Sequence, residues 1–162
     1  MTNRGLLLTM TEPPPQMEEE FNAWYDEEHM AERLSIPGFL SARRWVADCK
    51  PGEGKYLATY ELESLAVLHT DKYLFHFKNQ TPWSRRCLGK AVVFRRWACE
   101  QVAGGPPDPA AKALLLVLGE QADSRASRRF VASEGAPRQV GLIELPAARP
   151  AIEGARLYRS YG

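Results

Sequence analysis

Four short matches, all in the same order, tie residues 112–162 of this 162-residue chain to its first hundred residues. KALLLVLGE at 112–120 echoes RGLLLTMTE at 4–12, an offset of 108. RRFVA at 128–132 echoes RRWVA at 43–47, an offset of 85, and Ile143-Glu144-Leu145 echoes Tyr60-Glu61-Leu62, an offset of 83. Tyr158-Arg159-Ser160-Tyr161 echoes Phe94-Arg95-Arg96-Trp97, an offset of 64. The offset drops twice, at the two places where the first copy carries helical sequence. A chain built this way must fold its second half as the strands of the first with the helices removed. A sheet without helices can bury only one face, and that face is expected against the first sheet, as a barrel or sandwich.

The first copy opens with GLLLTMT, Gly5 to Thr11, an apolar run of strand length. Pro13, Pro14 and Pro15 end it, because proline has no N–H for a ladder. A helix is expected from about residue 15 to 35, with Glu18, Glu19 and Glu20 complementing the positive end of its dipole. Its core stripe reads Met17, Phe21, Trp24, Glu28, Ala31 and Leu34, with Tyr25 on the flank. Glu28 is the anomaly there, since a carboxylate on an apolar face needs a partner or the rim. Pro37 and Gly38 stop the helix. FLSARRWVA and KYLATYEL then flank the turn CKPGEG as a hairpin. Ser64 caps a second helix, Asp71 recaps it, and Ala91 to Val102 reads as a fourth strand.

The element order β-α-β-β-α-β is the ferredoxin-like split βαβ pattern. The expected class is α+β, with a full unit at 1–102, a linker AGGPPDPAA at 103–111, and a helix-depleted second repeat at 112–162 adding strands. A parallel crossover usually takes a dozen or more residues. Only Glu120 to Ala126 remain for it in the second copy, so that sheet is expected to be rewired as antiparallel hairpins.

Charge removes several function classes. Lys and Arg total 21 against 20 Asp and Glu, a net charge of +1, and no basic run exceeds two residues. Nothing electrostatic points to nucleic acid or an anionic membrane surface. Cys49, Cys87 and Cys99 are odd in number and form no CxxC, which suits free thiols in a reducing compartment. The run Leu6 to Leu8 is too short for a secretory core of about 7–15 apolar residues or a spanning helix of about 20. The chain is expected in the cytoplasm. His69 and His76 lie seven apart and lack the spacing of a helical two-histidine metal site, and no Walker, GxGxxG, G-x-S-x-G or HExxH sequence occurs.

The chemistry-bearing residues gather around His29. Tyr25 and Arg33 sit four residues before and after it, and Asp26 three before, all within reach on a helix. A phenol or carboxylate beside an imidazole can set its tautomer and basicity, as a general acid/base needs. The same histidine also suits a helix-end role, bonded to a last-turn carbonyl. Phe39, Arg43 and Trp45 share one strand parity and are the better candidates for a cavity. There Arg43 would anchor a carboxylate or phenolate, or else pair internally with Glu28 or Glu61. Trp83, Tyr56, Tyr60 and Tyr73 can line an aromatic pocket or serve as plain core.

FNAWYDEEHMAERLSIPGFLSARRW, then KYLATYELES, then NQTPWSRR, resemble the EthD-like branch of the dimeric α+β barrel superfamily. The resemblance covers residues 4–102 well and 112–162 only through the strands. It implies a ferredoxin-like dimeric α+β barrel, a homodimer, and a cavity between the faces of two sheets. Relatives of this kind include cofactor-free monooxygenases, polyketide cyclases, muconolactone isomerases, decarboxylases and haem-dependent enzymes. With the helices of the second copy lost, one full site per chain is expected. The leading expectation is a cofactor-free enzyme acting on a hydrophobic or aromatic small molecule by proton transfer. In it His29 is acid/base, Tyr25 or Asp26 orients it, and Arg43, Trp45, Phe39, Trp83 and Tyr60 bind substrate. A non-catalytic binding protein, a haem-binding enzyme and a cofactor-free monooxygenase are the alternatives.

Overall fold

Eight strands, each antiparallel to its neighbours, close into a barrel in the order β1-β3-β2-β8-β5-β7-β6-β4. The computed structural model describes residues 3–122, 126–150 and 152–162. The first four strands are β1 (Gly5–Glu12), β2 (Phe39–Val46), β3 (Tyr56–Leu62) and β4 (Val93–Ala103). The last four are β5 (Ala113–Leu118), β6 (Arg128–Glu134), β7 (Gln139–Leu145) and β8 (Ala155–Ser160). The order β4-β1-β3-β2 in one half recurs as β8-β5-β7-β6 in the other. The halves meet along two seams, β4 with β6 and β2 with β8. Closure leaves no edge strand and needs no second copy of the chain.

The expected rewiring of the second half does not occur. β7 lies between β5 and β6 and is antiparallel to both, so β5 and β6 run parallel as β1 and β2 do. The shortened connection lies close against the sheet where Ala122 and Ala126 cross β7. A Cβ at Gly141 of β7 would fall 2.4 Å from the Ala126 Cβ and 3.1 Å from the Ala122 Cβ. Two alanines over a glycine let backbone rest on backbone.

All eight residues of β1 are buried because both its faces are covered. Leu6, Leu8 and Met10 point into the barrel, where they meet Trp45, Trp97, Leu114, Phe130 and Tyr158. Leu7 points outward under the helices, beside Phe21, Trp24, Tyr60 and Leu62. This explains a continuous apolar run where a half-exposed strand would alternate.

The first helix follows a 3₁₀ turn at Pro15–Met17 and is built from three pieces. These are α1 (Glu18–Trp24), a π-helical turn at Tyr25–His29, and α2 (Met30–Leu34). The wider π turn retards the rotation of the chain, so the inward face jumps phase. After Phe21 and Trp24 it passes to Tyr25, His29, Arg33 and Ile36. Ala31 and Leu34, expected in the core, are exposed, Leu34 by 45%. Gly38, at φ +96°, then turns the chain into β2.

Two more helices, α3 (Asp71–Lys78) and α4 (Pro82–Lys90), complete the layer on the first half. Ser64 caps a short 3₁₀ turn, Leu65–His69. Thr70, rather than Asp71, caps α3, its hydroxyl accepting from the Tyr73 N–H. Helix α4 falls where the sequence reading assigns no element. Thr81 caps it and Pro82 begins it, a start signal that is visible in retrospect. No helix among the described residues is long and apolar enough to cross a membrane.

Candidate functional site

The helix layer does not lie flat on the sheet. Between the first helix, α3 and the outward faces of β1, β3 and β4 it leaves a cavity of about 550 Å³. Leu7 and Thr9 form part of the floor with Tyr60. Tyr25, His29 and Arg33 come from the first helix, and Tyr73 and Phe77 from α3. Phe94 and Arg96 of β4, with Glu134 of β6, close one side. The expected location between two sheets is therefore corrected. The barrel interior is filled by side chains, and the roomy cavity lies outside the first sheet, beneath its helices.

The phase shift of the π turn is what aims His29 inward. The imidazole is 6% exposed and stacks on the Trp24 indole, with Tyr25 edge-on at 5.3 Å. Burial, reinforced by the Arg33 and Arg44 charges, holds its pKa well below the usual imidazole value. His29 is therefore neutral at physiological pH, with a nitrogen free to accept a proton. Glu28 loses its anomaly here. Its carboxylate accepts from Trp24 Nε1 (3.1 Å) and from the Thr81 hydroxyl (2.7 Å), and Ser84 Oγ accepts from the same indole N–H at 3.0 Å. The glutamate thus fixes the indole on which the imidazole rests.

Among the described residues, four buried polar atoms of the lining have no hydrogen-bond partner: Thr9 Oγ1, His29 Nδ1, Arg33 Nη1 and the Tyr60 hydroxyl. An unpaired buried polar group costs about 1–3 kcal/mol, so several on one cavity mark a place where a polar ligand is accommodated. Burial also lifts the Tyr60 phenol well above its usual pKa, with Tyr25 adding to the effect, so its hydroxyl stays protonated and can donate. Behind Tyr25 lies Arg44, 3% exposed, none of whose guanidinium nitrogens has a partner. Four rings enclose it: Tyr25 at 4.1 Å, Tyr161 at 4.5 Å, Tyr56 at 4.9 Å and Phe21 at 5.8 Å. Cation–π contact replaces a counter-ion. The cavity wall is electropositive as a result.

Of the residues singled out from sequence, His29, Tyr25 and Tyr60 line this cavity together. Asp26 does not: it is exposed, turned away from His29 by the π turn. Arg43 and Trp45 face the barrel instead. Arg43 donates to Ala111 O (2.7 Å) and Ser160 Oγ (2.9 Å) and lies 4.1 Å over the Trp45 ring. Both line a separate space of about 200 Å³ at the barrel's end, next to Arg128 and Glu61. The ion pair expected of Arg43 belongs to Arg128, its counterpart in the repeat, which meets Glu61 at 2.7 Å. Phe39 parts from them because the β2–β3 register shifts between Phe39 and Ser41. It turns to the helix side, stacks on Tyr73 and backs the cavity wall. Trp83 is half-buried, packed against the helix-side core without lining the cavity. Sequence reading passed over Thr9, Arg96 and Glu134, and strand parity set Arg44 on the face opposite Arg43, whose set was preferred for the cavity.

A depression of about 500 Å³ near Arg149, Arg156 and Arg159 offers no comparable chemistry. Arg159 is paired with Asp48, and Arg156 donates to Glu53 O. Among the described residues no group of three or more His, Cys, Asp or Glu could hold a metal ion.

Solved structures place this geometry. An anthrone oxidase-like protein superposes with a TM-score of 0.52 at 13% identity, covering 99% of this chain and 73% of that one. A protein from Fusobacterium nucleatum subsp. nucleatum, assigned as a monooxygenase, gives 0.51 at 7% identity, covering 98% and 77%. The fold shared with these structures is an antiparallel α+β barrel. At these identities the likeness is one of fold. No family model matches the sequence, and no curated protein does.

Proposed function

We propose that this chain is a small cofactor-free enzyme, EthD-like in its first repeat, that takes a proton from a hydrophobic aromatic metabolite. The supporting observation is the set of four unpartnered polar atoms on one cavity, beside a histidine kept neutral by burial and two arginines. His29 accepts the proton from an acidic C–H or phenolic O–H. The electron pair stays on the substrate, spread through its rings onto an oxygen facing Arg33 and Tyr60. Those donors bind more strongly as that oxygen gains charge, which favours the transition state over the ground state. Tyr25 braces the imidazole. Return of the proton to a different carbon completes an isomerisation or cyclisation with no oxidant.

The two structural neighbours favour a second reading, cofactor-free oxygenation of the same anion. Dioxygen is then the oxidant. At an anthrone methylene two C–H bonds give way to one C=O, and the second oxygen atom leaves as water.

Anthrone in deuterated, oxygen-free buffer tests the reading. The expected result is deuterium incorporation at the methylene above the buffer rate, lowered about 100-fold or more in His29→Gln. Equal exchange in both proteins overturns it and leaves the binding-protein alternative. Admitting oxygen and following its uptake separates oxygenation from simple proton transfer.

A further inference from the structure

On β4 the outward residues Phe94, Arg96 and Ala98 follow one another at about 6.6–6.8 Å. The cavity holding His29 lies over Phe94 and Arg96. A second hollow, of about 370 Å³, lies over Arg96 and Ala98, walled by Leu65, Leu68 and Leu74. Arg96, Tyr73, Phe77 and Glu134 line both. They form the partition between the two spaces. The Arg96 guanidinium pairs with Glu134, donates to the Tyr73 hydroxyl at 2.7 Å and lies 5.6 Å from the Phe77 ring centre.

We infer that the two hollows are one elongated binding cleft divided by the Arg96–Glu134 pair, and that the second hollow takes the distal rings of a linearly extended aromatic substrate. This rests on the proposed function and adds the shape of the substrate. The partition is of a kind that can move. Glu134 has a side chain 64% exposed, so its ion pair contributes little and a long side chain can swing away at low cost. Beyond the partition the distal hollow is lined by Leu65, Leu68, Leu74 and Ala98 together with His69 and Ser133, and none of the unpartnered polar atoms found around His29 lies on it, so it offers ring contacts and no buried polar group left to satisfy. Glu134 belongs to β6, so the second half of the barrel supplies one side of the division.

Phenol, 2-naphthol and 2-hydroxyanthracene, titrated against intrinsic tryptophan fluorescence, test the cleft. The readout is the ratio of the phenol and hydroxyanthracene dissociation constants. Glu134→Gln is expected to raise that ratio about tenfold by freeing Arg96, and Leu74→Trp, which fills the distal hollow, to lower it by a similar factor. A ratio unchanged in both variants while phenol still binds overturns the divided cleft and leaves the His29 reading standing. Failure of all three phenols to bind overturns both.

Discussion

The His29 imidazole rests on the Trp24 indole, ring centres 4.4 Å apart and planes 26° apart, and Glu28 holds the indole nitrogen at 3.1 Å. Three residues of one helix thus form a stack whose order, carboxylate to indole to imidazole, is set by the π turn between them. Glu28→Ala removes one of two acceptors of the Trp24 indole and the 2.7 Å acceptor of the Thr81 hydroxyl. A loss of about 1–3 kcal/mol in urea unfolding is expected, with reduced proton exchange because the imidazole loses its support. Unchanged exchange would show that the stack does not position His29.

Stability should depend on pH through His29. Its folded pKa lies below the unfolded value near 6.5, so the unfolded chain binds the proton first. The contribution is complete above about pH 6.5 and is lost as pH falls from there through the folded pKa. Urea midpoints should decline across that window in the wild type and decline less in His29→Gln. Identical slopes would mean the histidine is not buried as described.

Arg44→Met tests the caged cation. Methionine keeps much of the stem volume and removes a charge with no counter-ion, so stability should change by less than about 1–2 kcal/mol or rise. The acid limb of the exchange rate should move to higher pH, because one of the charges opposing protonation of His29 is gone. A loss of several kcal/mol would assign the four rings a larger cation–π stabilisation than such contacts usually carry.

Gly141→Ala should destabilise by about 1–3 kcal/mol, since the new methyl meets the Ala122 and Ala126 side chains. Proton exchange per folded molecule should not change, because the site lies in the other half. Thermal or urea melts beside an activity measurement check both parts.

The halves of this prospect were not equally legible in the sequence. Strand positions followed from the repeat, because a barrel interior demands large apolar side chains at fixed spacing in both copies. The crossover was misjudged because the usual length does not allow for a path packed this close to the sheet, with Ala122 and Ala126 over Gly141. His29 and Tyr25 were found from residue type and spacing. Asp26 and the core positions Ala31 and Leu34 failed for a single reason: one π turn shifts every later side chain, and periodicity cannot anticipate it. Arg43 and Trp45 were assigned to the right strand face but the wrong cavity, since parity cannot tell which side of a sheet holds the open space. Phe39 was lost to a bulge. Arg96 and Glu134, 38 residues apart, meet across a seam that no local pattern encodes.

The two seams of the barrel are far from equal. β4 and β6 pair from Ala98 to Ala103, whereas β2 and β8 share only Trp45 with Ser160 and Val46 with Arg159. A ring with one short clasp behaves as a curled ribbon and parts at the clasp first. The next residue, Tyr161, donates its N–H to Arg44 O and lays its ring on the Arg44 guanidinium. Unfastening the C-terminal strand therefore lets water reach the cation behind Tyr25 and weakens its field at His29. The last residues of the chain, distant from the histidine in sequence, act as the latch on its electrostatics.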